Sequence, residues 1–155
     1  MLILADSGTL LRLFDPVDLL HATVDAAVRV LRARGDKLVY ALQNAAEFWN
    51  VCTRPATSRG GLGLDLAETG HRLGMIEAGF TLITEPPGLY PIWRQLVVTH
   101  SVRGKQVHDA RLAALMQAHG ISQILTLNGA DFTRYPGIVA IDPASVVPPA
   151  APPVP

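Results

Sequence analysis

The stretch Met1-Leu2-Ile3-Leu4-Ala5-Asp6-Ser7 runs four apolar residues and one small one straight into an acid. A short unbroken apolar run is the pattern of a strand buried on both faces, as strands are in a parallel sheet. Asp6 then falls where that strand stops. In open α/β sheets the carboxyl ends of the strands are where ligands bind. A carboxylate at that rim is a candidate for metal or phosphate chemistry. It is equally suited to cap a helix beginning near Thr9.

Outward from this stretch, strand and helix signals alternate. Thr9 to Phe14 reads as a short amphipathic helix, broken by Asp15-Pro16. From Asp18 to Arg34 apolar residues recur at helical spacing, beginning with Leu19 and Leu20, while Arg29, Arg32 and Arg34 fall mostly on the other face. Leu38 to Ala41 is a second short strand. Gln43 to Thr53 is a helix stopped by Arg54-Pro55.

Residues 56–63 form a glycine-rich loop. They do not join a strand to a helix, and no Gly-Lys-Ser/Thr follows, so a phosphate-binding P-loop is discounted. Leu66 to Ala78 is helical, and Phe80 to Ile83 is a third strand closed by Pro86-Pro87. Leu89 to Val102 is a helix with Trp93, Leu96 and Val97 facing inward. Val107 to His119 is another, ended by Gly120 at C′. Ile121 to Thr126 and Ile138 to Ile141 are the fourth and fifth strands, with a turn from Leu127 to Phe132. From Pro143 the proline-rich composition predicts an extended or disordered tail. The domain is expected over residues 1–145 and the tail over 146–155. Strands alternating with helices predict a parallel sheet covered on both faces.

The chain has 155 residues, enough for one domain with a substantial core. Apolar residues make up 49% and mean hydropathy is +0.27, so the core is well supplied. No apolar run approaches the ~20 residues of a membrane span, and the N-terminus lacks signal-peptide features, so a soluble, cytoplasmic protein is expected. A single cysteine, Cys52, permits no internal disulfide and fits a reducing compartment. Its helix holds no catalytic partner for it, so it reads as a buried filler. Thirteen basic and thirteen acidic residues cancel. Nucleic-acid binding would therefore depend on a local patch, not on net charge.

Four acids share one kind of position. Asp6 ends the first strand. Glu47 lies early in the helix after the second. Asp109 is on the first turn of the helix before the fourth strand, and Asp131 follows that strand. In a parallel sheet all four reach the same rim. Helix N-termini favour carboxylates, which offers a structural account of Glu47 and Asp109 taken singly. Jointly, carboxylates converging at a partly buried rim repel one another unless a cation compensates. All-oxygen donors suit a hard ion such as Mg²⁺ or Mn²⁺. The chemistry that uses such a site is attack of water on a phosphodiester.

Four motifs then carry a resemblance: Leu-Ala-Asp-Ser at 4–7, Ala-Glu-Phe-Trp-Asn-Val at 46–51 with Thr53-Arg54-Pro55, Val-His-Asp-Ala-Arg-Leu-Ala at 107–113, and Leu-Thr-Leu-Asn-Gly-Ala-Asp-Phe at 125–132. In this order they resemble the PIN-domain ribonucleases, in particular VapC-type toxins of toxin–antitoxin pairs. The resemblance implies a three-layer α/β/α sandwich with a parallel five-stranded sheet. It implies Mg²⁺-dependent RNA cleavage, with Mn²⁺ able to substitute, homodimerisation, and inhibition by a small antitoxin protein.

By position, Asp6, Glu47 and Asp109 match the family's regular acids. Asp6 and Asp109 would ligate the metal, and Glu47 would bind through water or act as general base. The fourth position falls to Asp131 or to Asn128, completing an outer shell or a second metal site. The usual polar residue two places after the first acid is Gly8 here, while Ser7 keeps a hydroxyl that can hold a carboxylate or water. Arg103, Lys105 and His108 precede Asp109 and form a basic lip for the RNA backbone, which Arg54 and Arg59 extend if the glycine loop folds that way. Each of these also fits an ordinary solvated face. His108 cannot face the same way as Asp109 on a helix, so RNA contact or solvent is preferred to metal. The other histidines read as structural, and Trp49 and Trp93 as core or dimer surface.

Two other readings compete. A phosphoacceptor receiver domain needs an acceptor Asp ending its third strand and a Lys after its last. The third strand here ends in Thr84-Glu85-Pro86, and no Lys follows residue 105. A catalytically weak RNA- or protein-binding module would have no need to keep the acids together, although the uncharged Asn128 suits it.

Overall fold

The computed structural model describes residues 1–147. Five strands, β1 (Leu2–Ala5), β2 (Lys37–Ala41), β3 (Thr81–Ile83), β4 (Gln123–Leu125) and β5 (Val139–Ile141), form one parallel sheet in the order β3-β2-β1-β4-β5. The register sets Ile3 opposite Leu38 on one side and Gln123 on the other. The helices are α1 (Ser7–Leu13), α2 (His21–Ala33), α3 (Leu42–Thr53), α4 (Leu66–Gly79), α5 (Leu89–Thr99), α6 (Gln106–Ala118) and α7 (Pro143–Val146). A single 3₁₀ turn spans Gly129–Asp131.

Strand alternation divides the core. Ile3 and Ala5 of β1 face a cluster with Leu10 and Leu13 of α1, Val24 and Leu31 of α2, Phe48 of α3, Ile76 of α4 and Val146 of α7. Leu4, between them, faces the opposite layer, built from Leu89 and Leu96 of α5, Leu112 to Met116 of α6, Phe132 and Tyr135. Ile3, Leu4 and Ala5 are wholly buried, as expected of a strand covered on both faces. Each fully buried large apolar side chain contributes about 1.5–3 kcal/mol. The α/β/α sandwich therefore follows directly from the period-2 pattern of β1. The two edge strands are only three residues long, and Pro86-Pro87 follows β3.

From β1 the chain steps to β2 and β3 on one side, then returns to β4 on the other. The sheet thus reverses its strand order between β1 and β4, the place where open α/β sheets form a crevice at their carboxyl ends. Asp6 leaves β1 there, and Thr126 leaves β4.

The structure departs from the sequence expectations in several places, among them α5, which ends at Thr99 and not Val102, and β4, which starts at Gln123 and not Ile121. The first helix starts at Ser7, directly after Asp6, not near Thr9. The second starts at His21. Leu19 lies before it and is 97% exposed, in a turn where the Asp18 carboxylate accepts from the Leu20 amide. Phe80 ends α4 and does not pair in β3. Pro143 opens a short helix packed on the core through buried Val146, where an extended tail was expected. Asp142 caps this helix and proline takes its first position, where a missing N–H costs nothing. The remainder of the expected tail, residues 148–155, lies outside the described residues. Gly120 holds φ +65° just past α6, as its C′ position requires. No helix among the described residues is long and apolar enough to cross a membrane.

Candidate active site

The site begins at the switch point. Asp6 is the N-cap of α1: its Oδ1 accepts from the Ser7 amide at 2.7 Å. Its Oδ2 accepts from Thr126 Oγ1 at 2.8 Å, across the β1–β4 crevice. Thr126 is buried and also accepts from the Asn128 amide at 3.0 Å, so it steadies the turn after β4. The capping and ligand readings of Asp6 are thus not exclusive, since one oxygen caps while the other faces the crevice. Burial raises the Asp6 pKa most, its two hydrogen bonds pull it back, and Glu47 and Asp131 raise it further.

Glu47 reaches the same rim from α3. Ser7 Oγ donates to its Oε2 at 2.6 Å, and Gln43 Nε2 donates to its Oε1 at 2.9 Å. Ser7 is itself held by Asn44, whose Nδ2 donates to the hydroxyl at 3.0 Å. Asn44 Oδ1 accepts from the Ala41 amide, fixing the start of α3. A chain of hydrogen bonds therefore locks the ends of β1 and β2 together beneath the acids.

Asp109 lies on the first turn of α6, half-buried. Its pKa is raised to about 6, first by burial, then by Asp131, Asp6 and Glu47, with His108 opposing. Asp131 sits in the 3₁₀ turn after β4. All four predicted acids are therefore within one another's field. None of the four enters an ion pair among the described residues. No three His, Cys, Asp or Glu side chains among those residues already stand together as a cage for an ion. The acids at the rim offer oxygen donors alone, a donor set that fits a hard divalent cation.

The predicted basic residues divide. His108 adjoins the site, and its charge lowers the Asp109 pKa. Arg103 and Lys105 stand exposed on the turn leading into α6. Arg54 caps the far end of α3, seven residues beyond Glu47 and so about 10 Å further along the axis. It packs against the loop at Gly60, and Arg59 is exposed within that loop, away from the rim. Asn128 is exposed beside the crevice. Of the remaining predictions, Cys52 is buried and free, and Trp49 and Trp93 are half-buried.

Sequence reasoning missed Gln43, Asn44, Thr126 and Arg134. The first three are buried polar residues at element ends, where a sequence pattern alone cannot tell a satisfied network from solvent. Arg134 is half-buried, donates to Gln106 Oε1 at 3.0 Å, and draws down the Tyr135 pKa that burial, Asp109 and Asp131 raise. Arg12 also stands near the acids: its Nη1 donates to the Gly8 carbonyl at 3.2 Å, beside Asp6 Oδ2.

A parallel α/β/α sandwich with unpaired carboxylates at its switch point defines a class of domain suited to chemistry at a phosphate. Comparison with known proteins narrows this. The family profile described as PIN domain matches residues 3–138. The chain belongs to the PIN-domain family. It is 31% identical over 141 residues to Ribonuclease VapC48 of Mycobacterium tuberculosis, covering 85% of this chain and 97% of that one. The fold is similar to VapBC2 from Rickettsia felis bound to a promoter DNA fragment (TM-score 0.68, 12% identity, 91% of this chain and 98% of that). It is similar to VapC20 of M. tuberculosis, a toxin that cleaves the sarcin–ricin loop (0.62, 16%, 83% and 92%). It is also similar to VapBC-1 from nontypeable Haemophilus influenzae (0.64, 13%, 92% and 98%).

Proposed function

We propose that the chain is an endoribonuclease, the toxin of a toxin–antitoxin pair, hydrolysing RNA phosphodiester bonds with a divalent cation. The observation that carries this is the set of four carboxylates at the β1–β4 crevice, none in an ion pair among the described residues, with Asp109 pushed up to about 6. Asp6 and Asp109 would hold Mg²⁺, or Mn²⁺ in its place. When bound, the ion supplies Lewis acidity toward water and the scissile phosphate and neutralises the repulsion among the acids.

The chain's own groups do the rest. Glu47, with one lone-pair direction of each oxygen spent on Ser7 and Gln43, orients the attacking water and accepts its proton. Ser7 and Thr126 keep the carboxylates in their rotamers. Asp131 completes the outer shell, with Asn128 beside it. Arg103, Lys105 and His108 form a lip on the α6 side that holds the phosphate backbone without reading bases, and Arg134 adds to it. The partners are RNA, a separate antitoxin chain and a second copy of this chain, all in the cytoplasm. Residues 1–147, including the short helix packed through Val146, carry the nuclease.

The test uses protein freed of any co-purified partner and a pool of structured RNAs. Cleavage that needs Mg²⁺ or Mn²⁺, stops in EDTA and is lost in Asp109→Asn supports the reading. Equal cleavage in EDTA rejects the metal mechanism. No cleavage with any RNA returns the balance to a binding module.

A further inference from the structure

We infer that Gln43 is a positioning residue, setting the placement of Glu47 relative to Asp109 by bridging α3 to the first turn of α6. This rests on reading Glu47 and Asp109 as parts of one hydrolytic site. Gln43 stands one helical turn before Glu47 on the same face of α3. It is 6% exposed. Its Nε2 donates to Glu47 Oε1 at 2.9 Å and to the His108 carbonyl at 3.0 Å. Both amide hydrogens are therefore spent, one on the acid and one on the residue preceding Asp109. No other side-chain hydrogen bond among the described residues joins α3 to α6.

The opposite side of Glu47 is tied to α1 through Ser7. The Gln43 bridge thus completes a clamp: Glu47 is fixed from the Asp6 side by Ser7 and from the Asp109 side by Gln43. Such a clamp has work to do, because Glu47 and Asp109 repel each other. The other polar ties of α6, from Arg134 to Gln106, from Trp93 to the Val107 carbonyl and between Arg111 and Glu85, run to elements other than α3, so among the described residues only Gln43 ties α6 to the helix that carries Glu47. The other amide atom supports a role beyond packing. Gln43 Oε1 is buried with no hydrogen-bond partner. An orphaned buried acceptor is unfavourable, so packing alone does not call for an amide at this position; the two groups it donates to do.

The experiment compares wild type, Gln43→Met and Asp109→Asn as full chains. Mn²⁺ binding is read by electron paramagnetic resonance of the free ion with no RNA present. kcat and KM are read on one RNA that the wild type cuts. Gln43→Met is expected to fold with a Tm within a few degrees of the wild type, because the loss of two donated hydrogen bonds is offset in part by the removal of the orphaned acceptor. It should bind Mn²⁺ and turn over about 10- to 100-fold less well, as loss of an outer-shell partner does, with KM for RNA unchanged. Where Gln43→Met does not fold, Gln43→Asn, one methylene short of the carboxylate, is read the same way. Wild-type kcat and Mn²⁺ affinity in the variant overturn the inference, as does a loss confined to Tm or KM. If Asp109→Asn also behaves as wild type, the reading of the site itself falls, and this inference with it.

Discussion

The two ends of the sheet treat charge in opposite ways. At the amino end, the Met1 ammonium sits 2.7 Å from Asp36 Oδ1, so the acid has its cation. Elsewhere on the surface, Asp15, Asp18, Asp25, Glu68 and Glu85 are likewise paired with arginines. At the carboxyl end, Asp6, Glu47, Asp109 and Asp131 share a crevice and none has a basic partner in an ion pair among the described residues. Asp6 and Glu47 have instead neutral donors: hydroxyls, a side-chain amide and a backbone N–H. Neutral donors orient a carboxylate without cancelling its charge. The difference teaches that the carboxyl end keeps its negative charge concentrated, whereas six acids elsewhere on the surface are each paired with a cation.

The contrast can be broken most forcefully by removing an acid. Asp6→Asn and Asp109→Asn are each expected to cut the cleavage rate about 10³-fold or more, corresponding to the several kcal/mol of charge stabilisation that a bound cation supplies. Initial rates on a cleaved RNA measure this. Cleavage by Asp109→Asn within tenfold of wild type would refute the assignment.

The next effect is on stability and has the opposite sign. The Asp109 pKa is raised to about 6, so the fold favours its protonated form. The stabilising effect of that form is present below the unfolded value of 3.8 and is lost as pH rises through about 6. Metal-free Asp109→Asn should therefore melt about 2–4 °C above wild type at pH 7.5, with the difference vanishing near pH 4. Calorimetric scans at the two pH values decide it. Mg²⁺ should raise the wild-type Tm at pH 7.5 and leave that of Asp109→Asn unmoved, because a ligand stabilises only the form that binds it.

Substitution at the lip should act more gently. Arg134→Ala is expected to raise KM for RNA a few-fold at low salt with little change in kcat, and the gap should narrow as salt rises. An unchanged KM would take Arg134 out of the lip. Smallest of all, Asp36→Asn at the paired end should leave cleavage within twofold of wild type and cost at most about 1 kcal/mol of stability in urea titration.

Much of this was legible in the residues. The apolar run of β1 carried the buried parallel strand, and Gly120 marked the end of α6. The acids could be placed at one rim because strand and helix signals alternate without a break. The supporting polar groups were hidden for a physical reason. Thr126 looks like an ordinary strand end, and Gln43 and Asn44 look like the solvated first turn of a helix. Their burial depends on neighbours distant in sequence, such as Ser7, which lies 37 positions from Asn44. The periodic leucines at 19 and 20 misled because spacing says nothing of whether a neighbour exists to cover them. By contrast, the short helix at Pro143 carried its own signal, an Asp-Pro start, which the proline-rich surroundings masked.

The three-residue edge strands also govern how this molecule can assemble. A long, flat sheet border invites strand addition and open-ended fibre growth. Here each border offers only a brief run of unpaired backbone, and Pro86-Pro87 stops the one at β3. Lasting contact with another chain is left to the helical faces, which favours closed complexes of fixed stoichiometry over runaway polymers.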